Sequence, residues 1–301
     1  MKLNFTKLLF VIFAIMVFIP TAFAKEVYYT NRSGVEMTKE EYEYLSSHFD
    51  ERKISHFDQE MFELAVKDYN NIETIKEEVI YVKTTTITTP KRESISFDNV
   101  ITEEEYNKFQ QVRTSCNYGD TCYETNAKRI YLVANRYASN KLYILVMLNW
   151  KTIPVTRSYD VLAARWTDSN SGLSFYKVVG YQDPVAASVD DDIPYVYEVG
   201  GSEHTNIVYS SNGVGISMNV VDNLTEAPNM EMNLYYTINN ATTMNFYTTY
   251  QHATSSLTLA QSKSYTFASN GLGGVLYYSN STIRNKYDGM GGLYYGMYFS
   301  I

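Results

Sequence analysis

KLYILVMLNWKTIPVTRSYDVLAARW, residues 141–166, is the stretch whose reading decides the fold. Two apolar runs, 142–150 and 159–166, flank the kink set by Pro154. Positions 142–148 are apolar at both alternating parities, so a strand here needs cover on both faces. A buried helix is the competing reading, because period alone does not separate it from a short apolar strand. Val155, Thr156, Tyr159 and Val161 favour strand, and Pro154 would cut a helix. The stretch predicts two adjacent core strands of a large β domain.

Working outward, further strands are expected at 128–135, 173–181, 194–199, 206–210, 214–221, 230–238 and 243–250. Shorter ones are expected at 256–259, 263–268, 274–279 and 293–301. Ser211-Asn212-Gly213 is a hairpin signal, since asparagine and glycine tolerate positive φ. Met232, Leu234, Tyr236 and Ile238 alternate with polar or smaller residues, as in a half-buried strand. Short strands parted by Asn, Gly and Ser turns, without a βαβ rhythm, give a mainly β fold. The expected body is an antiparallel β-sandwich or jelly-roll-like domain.

Charge marks what precedes that body. Residues 25–115 carry 12 basic and 19 acidic side chains, against 11 and 14 in the twice-longer remainder. Tyrosine shifts the other way, with 7 before the boundary and 22 after it. Thr38-Lys39-Glu40-Glu41 reads as a capping box, followed by Tyr42, Leu45 and Phe49 on one helical face. Asp58 can cap a second helix carrying Met61, Phe62 and Ala65. The string 37–42 recurs at 101–106, and Ser47-His48-Phe49-Asp50 recurs at 55–58, through duplication or through capping chemistry alone. Residues 77–89 look like a strand ending at Pro90, able to join the body's sheet, and 91–99 read as loop. The expected division is 25–72 as a small helical region, 73–115 as an extended linker with room for that strand, and 116–301 as the sandwich.

The first 24 residues read as a signal peptide. Lys2 and Lys7 flank a short n-region, 8–19 is an apolar run, and Ala22-Phe23-Ala24 fits signal peptidase. That run is too short for a bilayer, where about 20 residues are needed. The mature chain is therefore expected to be secreted, with no stable membrane insertion. Without Lys2 and Lys7 its net charge moves from -8 to -10. An acidic chain with no basic stripe argues against nucleic acid as a partner.

Catalytic signatures are missing. There is no G-x-S-x-G elbow, no H-E-x-x-H among His48, His56, His204 and His252, and no P-loop or dinucleotide fingerprint. Cys116 and Cys122, six positions apart in an exported chain, read as a structural disulfide in preference to a metal or redox pair. Asp190-Asp191-Asp192, with Asp183, could hold Ca²⁺ through hard oxygens or be a solvated acidic loop; no other cofactor is implied. Arg157, Asp160 and Arg165 interrupt the core strands. Buried charges persist when partnered, so a structural ion pair is favoured over acid–base work. Carboxylate pairs for glycoside hydrolysis have a tertiary geometry that sequence does not display.

Tyrosine doublets are the last clue: Tyr235-Tyr236, Tyr277-Tyr278 and Tyr294-Tyr295. On strands, one ring of each pair would face outward, where it could stack on a sugar or anchor a protein contact. The alternative is that tyrosine is simply a good strand former.

The opening Val27-Tyr28-Tyr29-Thr30-Asn31, followed by Gly34-Val35-Glu36-Met37-Thr38-Lys39-Glu40-Glu41-Tyr42, resembles the start of uncharacterised exported β-rich proteins of Gram-positive bacteria. The resemblance spans the N-terminal motif and the general layout. It implies a bacterial, extracellular setting and no particular activity. The expectation is a secreted or cell-surface-associated, non-catalytic β protein that contacts a glycan or protein ligand through its tyrosines. An extracellular hydrolase using carboxylates is the second class, and a membrane β-barrel the third.

Overall fold

A computed structural model describes residues 26–47, 51–55, 57–67, 73–91, 94–114, 120–183, 195–198, 204–220, 227–268, 274–288 and 295–301. The chain forms two units, 1–66 and 67–301. The signal-peptide residues, His48, Phe49 and His56 lie outside the described residues.

In the first unit, strands β1 (Tyr29–Thr30) and β2 (Glu36–Met37) pair antiparallel. Asn31 pins the turn between them. Its side-chain oxygen accepts from the backbone N–H groups of Ser33 and Val35 at 3.0 and 2.9 Å. Its amide donates to the carbonyls of Ile54 and Phe57 at 3.0 and 2.7 Å. With both ends of the amide bonded, the side chain can be buried. Gly34 supplies the left-handed residue of the turn, at φ +80°. Helix α1 (Lys39–Ser46) opens with the expected capping box: Glu41 N–H donates to Thr38 Oγ1 at 3.2 Å, and Thr38 N–H to Glu41 Oε2 at 2.8 Å. Helices α2 (Glu51–Ile54) and α3 (Gln59–Lys67) follow, and Met61 N–H donates to Asp58 Oδ1 at 2.9 Å. Leu45, Met61, Phe62 and Ala65 are buried.

The second unit begins with β3 (Glu73–Thr88), β4 (Ser94–Ile101) and the short helix α4 (Glu103–Asn107). Next come β5 (Cys122–Ala138), β6 (Lys141–Trp150), β7 (Tyr159–Asp168), β8 (Leu173–Asp183) and β9 (Tyr195–Glu198). Strands β10 (Ile207–Ser210), β11 (Gly213–Asn219), β12 (Asn229–Ile238) and β13 (Thr243–Gln251) continue the chain. It ends with α5 (Leu259–Ser262), β14 (Tyr265–Phe267), β15 (Leu276–Tyr278), α6 (Ser281–Arg284) and β16 (Tyr295–Ser300).

Seven strands form one sheet in the order β4-β3-β5-β6-β12-β8-β9, and five form another, β10-β11-β7-β13-β16. Inward side chains from both merge into one core, with Val82, Ile144 and Val146 meeting Leu162, Ile216 and Phe246. Both sheets are open among the described residues, so the body is an antiparallel β-sandwich, and the membrane β-barrel alternative falls with that topology. Among the described residues no helix is long and apolar enough to cross a membrane.

Several expectations need correction. β6 and β7 are strands, but they lie in different sheets, and residues 151–158 carry the chain across the sandwich. The reason is burial. The outward side of β7, at Val161 and Ala163, is covered by Leu257, Tyr265, Val275 and Tyr278, so this strand sits mid-sheet under a third layer. Residues 73–115 hold no simple linker, because β3 pairs with β5 over nearly its whole length and with β4 on its other edge. Ser94–Ile101 is a strand where a loop was expected. The division therefore falls at 66/67 and not at 115/116. Residues 256–259 do not form a strand: Thr258 and Gln261 make a capping box that starts α5, a pattern visible in the sequence.

Candidate functional site

Trp150, at the end of β6, marks one end of the gap between the sheets, and the polar groups of the interior gather around it. Lys128 faces inward from β5, in phase with Ile130 and Leu132. Its ammonium lies 3.0 Å from Asp98 Oδ2 on β4 and 3.1 Å from Asp288 Oδ2 in the loop after α6. The three side chains are 1%, 3% and 0% exposed. Thr84 donates to Asp98 Oδ1 at 2.6 Å, and the backbone N–H of His252 donates to Asp288 Oδ1 at 2.7 Å. The Asp288 N–H in turn donates to the His252 carbonyl at 2.8 Å, which ties the loop to the end of β13. Lys128 also lies over the Trp150 and Tyr250 rings, 5.4 and 5.3 Å from their centroids.

A second buried group adjoins the first. Asp160, inward on β7, accepts from the Ala253 N–H at 2.8 Å and from the Tyr250 hydroxyl, and its Oδ2 lies 2.9 Å from His252 Nδ1. Trp150 Nε1 donates to the Tyr250 oxygen at 3.0 Å. Burial opposes charge on Lys128, but Asp288 and Asp98 outweigh it and hold the ammonium above its usual range. Burial likewise opposes charge on His252, and the Asp160 carboxylate overcomes it and raises the imidazole above its ordinary value. Burial pushes the Asp288 carboxyl up to about 6 against the pull of Lys128. A cavity of 30 Å³ lies beside this cluster, lined by His252, Trp150, Glu124 and Thr84 among others. That is room for about one water and for no substrate.

A larger opening lies on the outer side of the five-stranded sheet. The hairpin β10–β11 turns at Ser211 and Asn212, as its sequence predicts. β14 packs its rings onto β11 at two glycines. A Cβ at Gly213 would sit 2.6 Å from the Phe267 ring, and one at Gly215 would collide with the Tyr265 hydroxyl. Between these two elements runs a groove of 550 Å³, lined by Tyr209, Phe267, Tyr265, Ser211, Asn212 and Thr266, with no charged side chain among the described residues of its walls. Tyr209 is 46% exposed. The Tyr265 hydroxyl is buried without a hydrogen-bond partner.

The tyrosine doublets fare unequally. Tyr235 and Tyr236 are both fully buried. Tyr236 points inward against Trp166 and Phe175. Tyr235 faces outward but is roofed by Tyr143, Tyr176 and the Lys177 ammonium. Large side chains on one sheet face cover one another, so outward is not the same as exposed. Tyr278 and Tyr295 are buried, and Tyr294 lies outside the described residues. Tyr277 is 50% exposed and pairs with Thr266 of β14, but it does not line the groove.

Asp160 finds its partner on another element, His252 just past β13, while Arg165 faces outward with its guanidinium 5.7 Å from the Tyr247 ring centroid. Asp190, Asp191, Asp192 and the Asp183 side chain lie outside the described residues. Among the described residues no three metal-ligating side chains converge. Cys122 opens β5 and is buried, Cys116 lies outside the described residues, and no described cysteine is free.

No protein-family model matches the chain, and no curated protein matches it. Solved structures share parts of its architecture at low similarity. The KRT10-binding region domain of the pneumococcal serine rich repeat protein PsrP is 8% identical, with a TM-score of 0.28 over 58% of this chain and 87% of that one. The C-terminal domain of the Streptococcus pyogenes antigen I/II-family protein AspA is 7% identical, with a TM-score of 0.26 over 57% and 80%. The C-terminal domain of the Streptococcus agalactiae AgI/II polypeptide BspA is also 7% identical, at 0.25 over 57% and 79%. Likenesses this distant carry no functional conclusion.

Proposed function

We propose that the chain is an exported, non-catalytic binding protein whose sandwich presents the groove between β10 and β14 to a neutral glycan. The observation that carries this reading is the lining of the groove: aromatic rings at Tyr209 and Phe267 beside hydroxyl and amide groups, and no charge among the described residues. Ring faces stack on the apolar faces of sugars, and hydroxyls and amides exchange hydrogen bonds with sugar hydroxyls. Its volume falls in the range of small-ligand sites, roughly 300–1,000 Å³. Export rests on the signal-peptide reading of the first 24 residues.

A carboxylate hydrolase is the weaker reading. Asp98, Asp160 and Asp288 all face the interior, and the 30 Å³ cavity beside them admits no sugar ring. The test is a screen of the full mature chain against neutral oligosaccharides, with titration of any hit by calorimetry. Tyr209→Ala and Thr266→Ala, both in the groove wall, should each weaken binding about tenfold, equivalent to ~1.4 kcal/mol, without changing the melting curve. Absence of any glycan ligand, or binding indifferent to both substitutions, would refute the proposal.

A further inference from the structure

Lys128, Asp98 and Asp288 form an arrangement that an ion triad alone does not require. A lone buried ammonium is neutralised by one carboxylate; here two converge on it at 3.0 and 3.1 Å, sealed from solvent. Taking three ionisable groups out of water carries a large desolvation penalty. A condensation that removes the charges relieves it.

We propose that Lys128 and Asp288 join in an intramolecular isopeptide bond, with Asp98 as the proton carrier. The groups are already placed for each step. Asp288 Oδ1 is held by the His252 N–H at 2.7 Å, so a donor is in position as negative charge builds on that oxygen. Burial raises the Asp288 carboxyl to about 6, which puts a fraction of the neutral acid within reach near neutral pH. Lys128 passes one proton to Asp98, and its free amine attacks Cγ of the neutral Asp288 acid. The C–N bond forms; Asp98 takes a proton from the nitrogen side of the adduct and delivers one to Oδ2. The Cγ–Oδ2 bond breaks and water leaves. An ammonium, a carboxylate and a carboxylic acid become an amide, a carboxylic acid and water, with the same net charge and no oxidant. Asp98 is fixed for the carrier role by the Thr84 hydroxyl at 2.6 Å.

The bond would tie β5 of the seven-stranded sheet to the loop that leads into β16 of the five-stranded sheet, 160 positions away. It would close the charged end of the sandwich covalently.

Mass spectrometry decides the matter on the mature protein, denatured and reduced so that cysteine oxidation does not contribute. The wild type should be one water lighter than its sequence. A protease digest should yield a branched peptide linking Lys128 to Asp288. Lys128→Met and Asp98→Ala should restore the full sequence mass, and in gel electrophoresis after boiling they should migrate apart from the wild type. The wild-type measurement stands even where a variant fails to fold. A wild-type mass equal to the sequence mass would overturn the proposal, as would a water loss mapped to any other pair, Lys128 with Asp98 included.

Discussion

The two ends of the space between the sheets are equally buried and chemically opposite. At one end Trp166 meets Tyr236 and Phe175 at centroid distances of 5.1 Å each, and the Tyr236 hydroxyl has no hydrogen-bond partner. At the other, Trp150 hydrogen-bonds to Tyr250, which bonds to Asp160, beside Lys128 and its two carboxylates. Both tryptophans come from the stretch 141–166, and both tyrosines are pushed above their usual range, chiefly by burial. The difference teaches that depth does not set the role of a buried group. At the aromatic end stability rests on contact area and shape, whereas at the charged end it rests on every partner being present.

The strongest way to break the comparison is to remove a wall of the charged end. Deleting 25–115 takes away β3, β4, Asp98 and Thr84, leaving a bare edge on β5 and Lys128 with one carboxylate. That chain should lose cooperative unfolding by circular dichroism. Deleting only 25–66 should leave a cooperative melt. Failure of the shorter deletion to fold would refute the division at 66/67.

A gentler pair of substitutions sharpens the contrast. Tyr250→Phe removes a donor to Asp160 and the acceptor for Trp150, and should cost about 1–3 kcal/mol in denaturant unfolding. Tyr236→Phe deletes a hydroxyl without a partner and should change stability by less than about 0.5 kcal/mol. Equal costs would mean that the two ends obey the same rules after all.

The smallest effect is the dependence on pH. The folded pKa of His252 lies above 6.5, so its pairing with Asp160 stabilises fully below that value. The contribution is lost as pH rises through the folded pKa. Thermal midpoints of wild type and His252→Gln, compared between about pH 5.5 and about pH 8.5, should therefore converge as pH rises. A gap that widens with pH would show that the imidazole is held neutral.

How much of this was legible varies residue by residue. Thr38, Asp58 and the Ser211-Asn212 turn were readable because caps and turns are made by neighbours in sequence. Asp160 stood out as a charge among apolar residues. Lys128 could have been noticed by the same test, since it shares the inward parity of Ile130 and Leu132. Asp98 was hidden because Ser, Asp and Asn make its strand look like a loop, and Asp288 follows a helical turn with no pattern of its own.

Alternation and turn chemistry in the sequence alone determined that the body is mainly β and antiparallel, and that 141–166 supplies two of its central strands. Both arise from backbone geometry repeated every two residues, which a linear pattern records directly. Only the tertiary structure decided that those strands belong to opposite sheets and that Tyr235 is roofed while Tyr277 is not. It alone brought Lys128 to Asp288. Each depends on which sheet face stacks on which. That choice is made by contacts far apart along the chain, and no local period encodes them.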